Sequence, residues 1–305
     1  METEDPQAPT PAASSPEGES DAALSPAVVR GFVVCVFGFM FAGMAVWILL
    51  LDPNAGRPRA AWGGWRLRDA VLTLAAAYCL RATAQYVWVV LLFQREGKGG
   101  AAVPQLTQNL GSGAWQVVAC LVAVGAFALA PYGLPVDALG LVPPADGWMT
   151  AAVAVGIVAG PGGVLLFVLI GRLTRDPMTI EGSQADFIAP RGGPRPPRYA
   201  VTGMILMGVV LAPVAEEVLF RGVVYPGLRA AAGPWLAVVL SAALFGLGHR
   251  DHGTPAVVFT ALMGAALALL VEGSGSLWPA VVAHVLVNTK LVLMYVGPLR
   301  DRPAT

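Results

Sequence analysis

Apolar stretches of about 17–25 residues, each long enough to cross a hydrocarbon core of roughly 30 Å as a helix, recur along most of this chain. They alternate with short segments rich in Pro, Gly, Arg and acidic residues. The pattern predicts spans over Val28–Leu51, Ala70–Phe93, Trp115–Ala130, Trp148–Ile170, Tyr199–Val224, Pro234–Gly248, Pro255–Val271 and Leu277–Val296. Backbone polar groups in lipid must be satisfied within each segment, so the expected fold class is all-α: a polytopic transmembrane bundle of about eight membrane-spanning helices.

The connections divide the chain further. Asp52–Asp69 carries Arg57, Arg59, Arg66 and Arg68, Gln94–Ala114 is Gly-rich, and Pro131–Gly147 has no Lys or Arg. Residues 172–198 form the longest internal connection, where Pro177, Pro190, Pro194, Pro196 and Pro197 argue against a regular element. The expected organisation is a tail over 1–27, N-terminal helices over 28–171, this loop, a C-terminal helical domain over 199–297 and a tail over 298–305. No internal repeat is evident. Gly160-Pro161-Gly162-Gly163, inside the fourth span, reads as a kink or a close-packing point.

Composition agrees with the pattern. Of 305 residues, 56% are hydrophobic and 12% charged, where a soluble domain carries roughly 25% charged residues; the mean hydropathy is +0.67. The formal net charge is zero, which argues against a nucleic-acid partner, because phosphates are held by concentrated Lys and Arg. The tail holds Glu2, Glu4, Asp5, Glu17, Glu19 and Asp21 without a basic residue and lacks the apolar surface to fold, so disorder is expected there. The first apolar stretch follows an acidic segment and is too long for a signal h-region, so it is expected to remain as a helix. Counting Lys and Arg in the loops favours both termini inside. Cys35, Cys79 and Cys120 fall in separate apolar segments and read as small packing residues.

Charged residues inside spans change the picture, because each costs roughly 2.5–3.5 kcal/mol at mid-bilayer on insertion scales. Arg81 and Lys290 are each candidates for function, with a partner carbonyl or carboxylate, or snorkelling in the case of Lys290, as the expected account. Glu216, Glu217 and Arg221 lie together in one span and must face protein or water. Glu217 and Arg221 are four apart and can pair along a helix, whereas Glu216 is rotated roughly 100° from Glu217. The spacing assigns Glu217 and Arg221 to holding a site and Glu216 to chemistry. Pro213 upstream removes a backbone donor and could bend the helix so that water reaches the carboxylate. A Glu that is buried beside another Glu tends toward a raised pKa, which suits a general base.

The chain has three histidines, His249, His252 and His284. Phe245-Gly-Leu-Gly-His249 closes the sixth span, and His284-Val-Leu-Val-Asn288 sets two polar groups one turn apart on one helix face. A structural role for both Glu in a buried charge network is the competing account of the first cluster.

The order Glu-Glu-x-x-x-Arg, Phe-x-x-x-His, His-x-x-x-Asn on successive apolar helices resembles the CAAX-protease and bacteriocin-processing family of intramembrane proteases, also called the abortive-infection or Rce1-like family. The likeness covers roughly Tyr199–Val296. It implies a helical intramembrane endopeptidase acting on membrane-associated protein or peptide, in which Glu216 and His249 activate water while His284 and Asn288 stabilise the oxyanion. Glu217, Arg221 and Phe245 are then supporting residues. No cofactor is required on this reading. The alternative is one zinc held by Glu216, His249 and His284, although the H-E-x-x-H pattern is absent. A bacterial plasma membrane location is expected. Eukaryotic relatives trim prenylated C-terminal tripeptides, and nothing in this sequence shows a prenylated substrate. Two other classes compete: a non-catalytic scaffold or immunity protein on the same fold, and a proton-coupled transporter, which repeat halves would have favoured.

Overall fold

A computed structural model describes residues 64–96, 105–174, 202–203 and 205–300. The acidic tail, the first predicted span with Cys35, most of the 172–198 loop and the last five residues lie outside the described residues. Helix α1 spans Leu67–Glu96 and packs along α2, Gln105–Val124. The second helix runs on through a widened turn at Gly125–Leu129 and a tight turn at Ala130–Tyr132. Helix α3 covers Trp148–Thr174.

A single rod follows, made of a widened turn at Met207–Leu211, α4 at Ala212–Leu219, a second widened turn at Phe220–Val224, and α5 at Tyr225–Ala232. Every junction in it keeps right-handed helical backbone, so the axis is continuous. Helices α6 (Pro234–Leu247), α7 (Thr254–Ser274) and α8 (Trp278–Arg300) complete the bundle. The described residues contain helices and turns but no strand.

Three of these helical stretches are long and apolar enough to cross a membrane, Gly113–Tyr132, Trp148–Leu166 and Thr254–Ser274; Pro234–Leu247 and Trp278–Leu293 are shorter apolar helices. The described residues thus support an all-helical membrane protein without establishing eight crossings. The predicted Tyr199–Val224 span also differs at its end, because the rod continues to Ala232. Pro226 does not stop it, because the widened turn at Phe220–Val224 just ahead accommodates the missing N–H and the crowding by the ring. Arg229, expected in a loop, therefore sits on the last turn of α5, ion-paired with Glu272 of α7 at 2.7 Å.

The three widened turns share a local cause. Each ends two residues before a proline: Leu129 before Pro131, Leu211 before Pro213, Val224 before Pro226. Proline offers no N–H and its ring crowds the carbonyl four residues back. The backbone relaxes into a five-residue repeat, with Ala130 N–H reaching Gly125 O, Ala212 reaching Met207 O and Tyr225 reaching Phe220 O.

Helix α3 meets α7 and α8 through its small residues. A Cβ on Gly163 would collide with the Phe259 ring, one on Gly156 with Leu286, and one on Gly160 with the Lys290 stem. The Gly-Pro-Gly-Gly run is thus a close-packing point, the arrangement by which helices without a hydrophobic driving force between them gain contact. Lys290 Nζ donates to Ile157 O on α3 at 2.6 Å, the carbonyl partner its position called for.

Candidate active site

Glu216 and Glu217 are both buried on α4, yet they face different surroundings. Glu217 Oε1 accepts from Arg221 at 2.9 Å and lies 2.8 Å from His284 Nδ1 on α8. Arg221 is itself fully buried; its second terminal nitrogen donates to Gly264 O on α7 at 2.9 Å, and its guanidinium sits 4.5 Å above the Phe245 ring. A Cβ at Gly264 would press on that guanidinium, so α7 needs glycine at the contact. The carbonyl and the ring take up part of the desolvation cost that an ion pair alone would not repay. Glu217 Oε2 and Arg221 Nε remain without a hydrogen-bond partner among the described residues.

Glu216 turns the other way. Its Oε1 accepts from Gln116 Nε2 of α2 at 2.7 Å, and its Oε2 lies 3.9 Å from His284 Nε2, beyond hydrogen-bond reach. It opens on a cavity of about 300 Å³, large enough for water and a peptide segment, which Gln116, His249, His284 and Asn288 also line. Four residues that the motifs single out, carried on α4, α8 and the turn after α6, therefore share one space.

Hydrogen-bond chemistry fixes the roles of the ring nitrogens. His249 Nδ1 is 2.9 Å from Phe245 O, and a carbonyl can only accept, so Nδ1 carries the proton and Nε2 is the nitrogen free to take one. His284 Nδ1 lies 2.8 Å from Glu217 Oε1, the oxygen that also accepts from Arg221, which leaves Nε2 on the side of Glu216. Phe245 is the shared support. Its ring centroid is 5.0 Å from that of His249 and 5.8 Å, edge-on, from that of His284. His252, 6.5 Å from His249 ring to ring, also reaches the cavity; desolvation, then His249, lowers its pKa from the ordinary value, while Asp251 acts in the opposite sense.

Asn288 is less free than its motif position implies. Its Nδ2 donates to Gly208 O at 2.8 Å, in the widened turn before α4. In that five-residue register Pro213 would be the donor to Gly208, and it has no N–H. The amide retains a second hydrogen and its oxygen.

Several cavity residues were not among the expected site members. Gln116 is a lone amide within an apolar helix, a signal open to reading. Tyr78 and Arg81 lie three residues apart on α1, and nothing local ties them to Glu216. Cys120 also lines the cavity, while Cys79 is partly buried on α1.

Among the described residues no group of three or more His, Cys, Asp or Glu side chains stands ready to hold a metal ion; Nδ1 of His249 and of His284 is engaged by Phe245 O and Glu217, which leaves Nε2 of each ring as its open nitrogen.

Residues 198–289 match the family model described as Type II CAAX prenyl endopeptidase Rce1-like. The matched segment covers less than a third of the chain and is similar to that family. A stretch of 102 residues is also 30% identical to the Bacillus subtilis (strain 168) protein named "Putative membrane peptidase YdiL", covering 33% of this chain and 41% of that protein. The match thus spans about two fifths of the relative's length. No solved structure matches. The two likenesses support a membrane protease family and, with the apolar helices, an integral membrane protein. The matched segment contains Glu216, His249, His284 and Asn288, whereas Tyr78, Arg81 and Gln116 reach the cavity from helices outside it.

Proposed function

We propose that this chain is an intramembrane endopeptidase that hydrolyses peptide bonds of membrane-associated protein or peptide substrates, in a bacterial plasma membrane. The observation that carries the reading is the shared cavity of Glu216, His249, His284 and Asn288. Glu216 takes a proton from a water molecule as its oxygen adds to the scissile carbonyl carbon, and His249 Nε2 shares that proton. His284, as an imidazolium stabilised by Glu217, and the second amide hydrogen of Asn288 receive the charge that develops on the carbonyl oxygen. Each such donor is commonly worth about 2.7–4 kcal/mol in acyl transfer. As the tetrahedral species collapses, the carbon–nitrogen bond breaks and the proton passes to the departing amine. All of these groups are side chains of the protein, so the reading requires no metal.

The test compares N-terminal and C-terminal peptides from membranes of wild-type and Glu216→Gln cells. Fragments present in the first and absent in the second are expected, together with a fall of roughly 10²-fold or more in turnover of any purified substrate. Identical fragment sets, with the cellular phenotype intact in both Glu216→Gln and His249→Ala, would favour a non-catalytic scaffold. Activity removed by a chelator and restored by Zn²⁺ would overturn the metal-free mechanism.

A further inference from the structure

Arg81 sits near the middle of α1, a helix that is apolar for most of its length, and its side chain is only partly covered. It shares the cavity with Glu216, together with Ala77 and Tyr78 at helical spacing on the same face. Lys290 has a carbonyl and Arg221 a carboxylate, a carbonyl and a ring. Among the described residues Arg81 has no hydrogen bond or ion pair. Glu216 is the one carboxylate among the lining residues, and its Oε1 is held from α2 by Gln116. A cation on a largely apolar helix, without a partner among the described residues and facing a cavity of about 300 Å³, is a functional candidate.

We infer that Arg81 is a substrate-binding residue that receives a carboxylate of the bound peptide, supplied either by an acidic side chain or by a free chain terminus. The guanidinium presents a planar fork that matches a carboxylate with two parallel hydrogen bonds, and water leaving the cavity as peptide enters strengthens the contact. Gly248, next to His249, approaches Tyr78 so closely that a Cβ there would lie 2.6 Å from the phenol oxygen. The Tyr78 and Arg81 face of α1 therefore lies beside the histidine turn. A carboxylate on Arg81 leaves the rest of the peptide extending past Glu216. The substrate class is thus apolar peptide with one anionic group near the cleavage point, and this rests on the proposed protease reading.

The experiment measures binding to the full chain in nanodiscs by fluorescence anisotropy, in the Glu216→Gln background so that no peptide is consumed. Three labelled apolar heptapeptides serve as probes: one with a free C-terminal carboxylate, one amidated with an internal Glu, and one amidated and neutral. At least one acidic probe is expected to bind tenfold or more tightly than the neutral one, and which of the two does so identifies the carboxylate's source. Arg81→Gln should bring that ratio close to one, and Arg81→Lys should keep part of it. Equal binding of all three probes, or a ratio that survives Arg81→Gln, overturns the inference. A ratio lost in Arg81→Gln, while the chain with Glu216 intact cleaves none of the three peptides in a parallel assay, would remove the protease reading and leave the carboxylate site standing.

Discussion

Arg221 has no contact with water, so its charge is sustained by three partners on three elements: Glu217 one turn back, the Gly264 carbonyl of α7 and the Phe245 ring of α6. Removing it leaves Glu217 buried with His284 as its remaining partner. Arg221→Met is expected to lower stability by about 3–5 kcal/mol, the range for breaking a buried ion pair, read as a fall in the unfolding midpoint in detergent. Arg221→Lys should recover little, since an ammonium is a point charge without the fork that reaches carboxylate and carbonyl together. The spacing of Glu217 and Arg221 made their pairing legible, because helix geometry alone places residues four apart on one face. Their third neighbour was not legible. His284 lies 67 positions from Glu217, and only packing of α8 on α4 decides that its Nδ1 meets the carboxylate.

At the scale of elements, proline after a widened turn is the recurring device, and partners from other helices complete it. Asn288 donates to Gly208 O ahead of Pro213, and Trp65 Nε1 donates to Gly222 O, ahead of Pro226, at 2.6 Å. If Asn288 serves Gly208 in place of the missing proline N–H, then Pro213→Ala should restore a backbone donor and relieve the need. Asn288→Ala alone is expected to cost about 1–3 kcal/mol, the penalty of an unsatisfied buried carbonyl. The double variant should regain most of that loss in detergent unfolding. Equal costs in the single and double variants would show that Asn288 has no such duty. Activity separates this duty from the proposed oxyanion role, since a lost oxyanion donor would stay lost when stability returns. Pro213 was visible as a helix-bending residue, whereas the carbonyl it leaves and the amide that answers it were not, being 80 residues apart.

Across the whole molecule, the N-terminal helices supply part of the site. Gln116 holds Glu216 from α2, Tyr78 and Arg81 line the cavity from α1, and Trp65, just before α1, is fully buried against the rod. Trp65→Phe keeps most of the ring but leaves Gly222 O without its donor, so a loss of about 1–3 kcal/mol is expected. Unfolding followed separately through probes on α1 and α4 should show both destabilised together; a shift confined to α1 would mean that the two halves are not coupled through this contact. Sequence alone determined the helical membrane class, the Glu217 and Arg221 spacing, the close-packing glycines of α3 and the three motifs, because each depends on hydropathy or on neighbours within one or two turns. Tertiary structure decided that Glu216 faces Gln116 rather than Arg221, that Asn288 is partly engaged, and that Arg81 opens on the same cavity. Those outcomes depend on which helices meet and at what rotation, and the packing of side chains between helices fixes this rather than the spacing along any one of them.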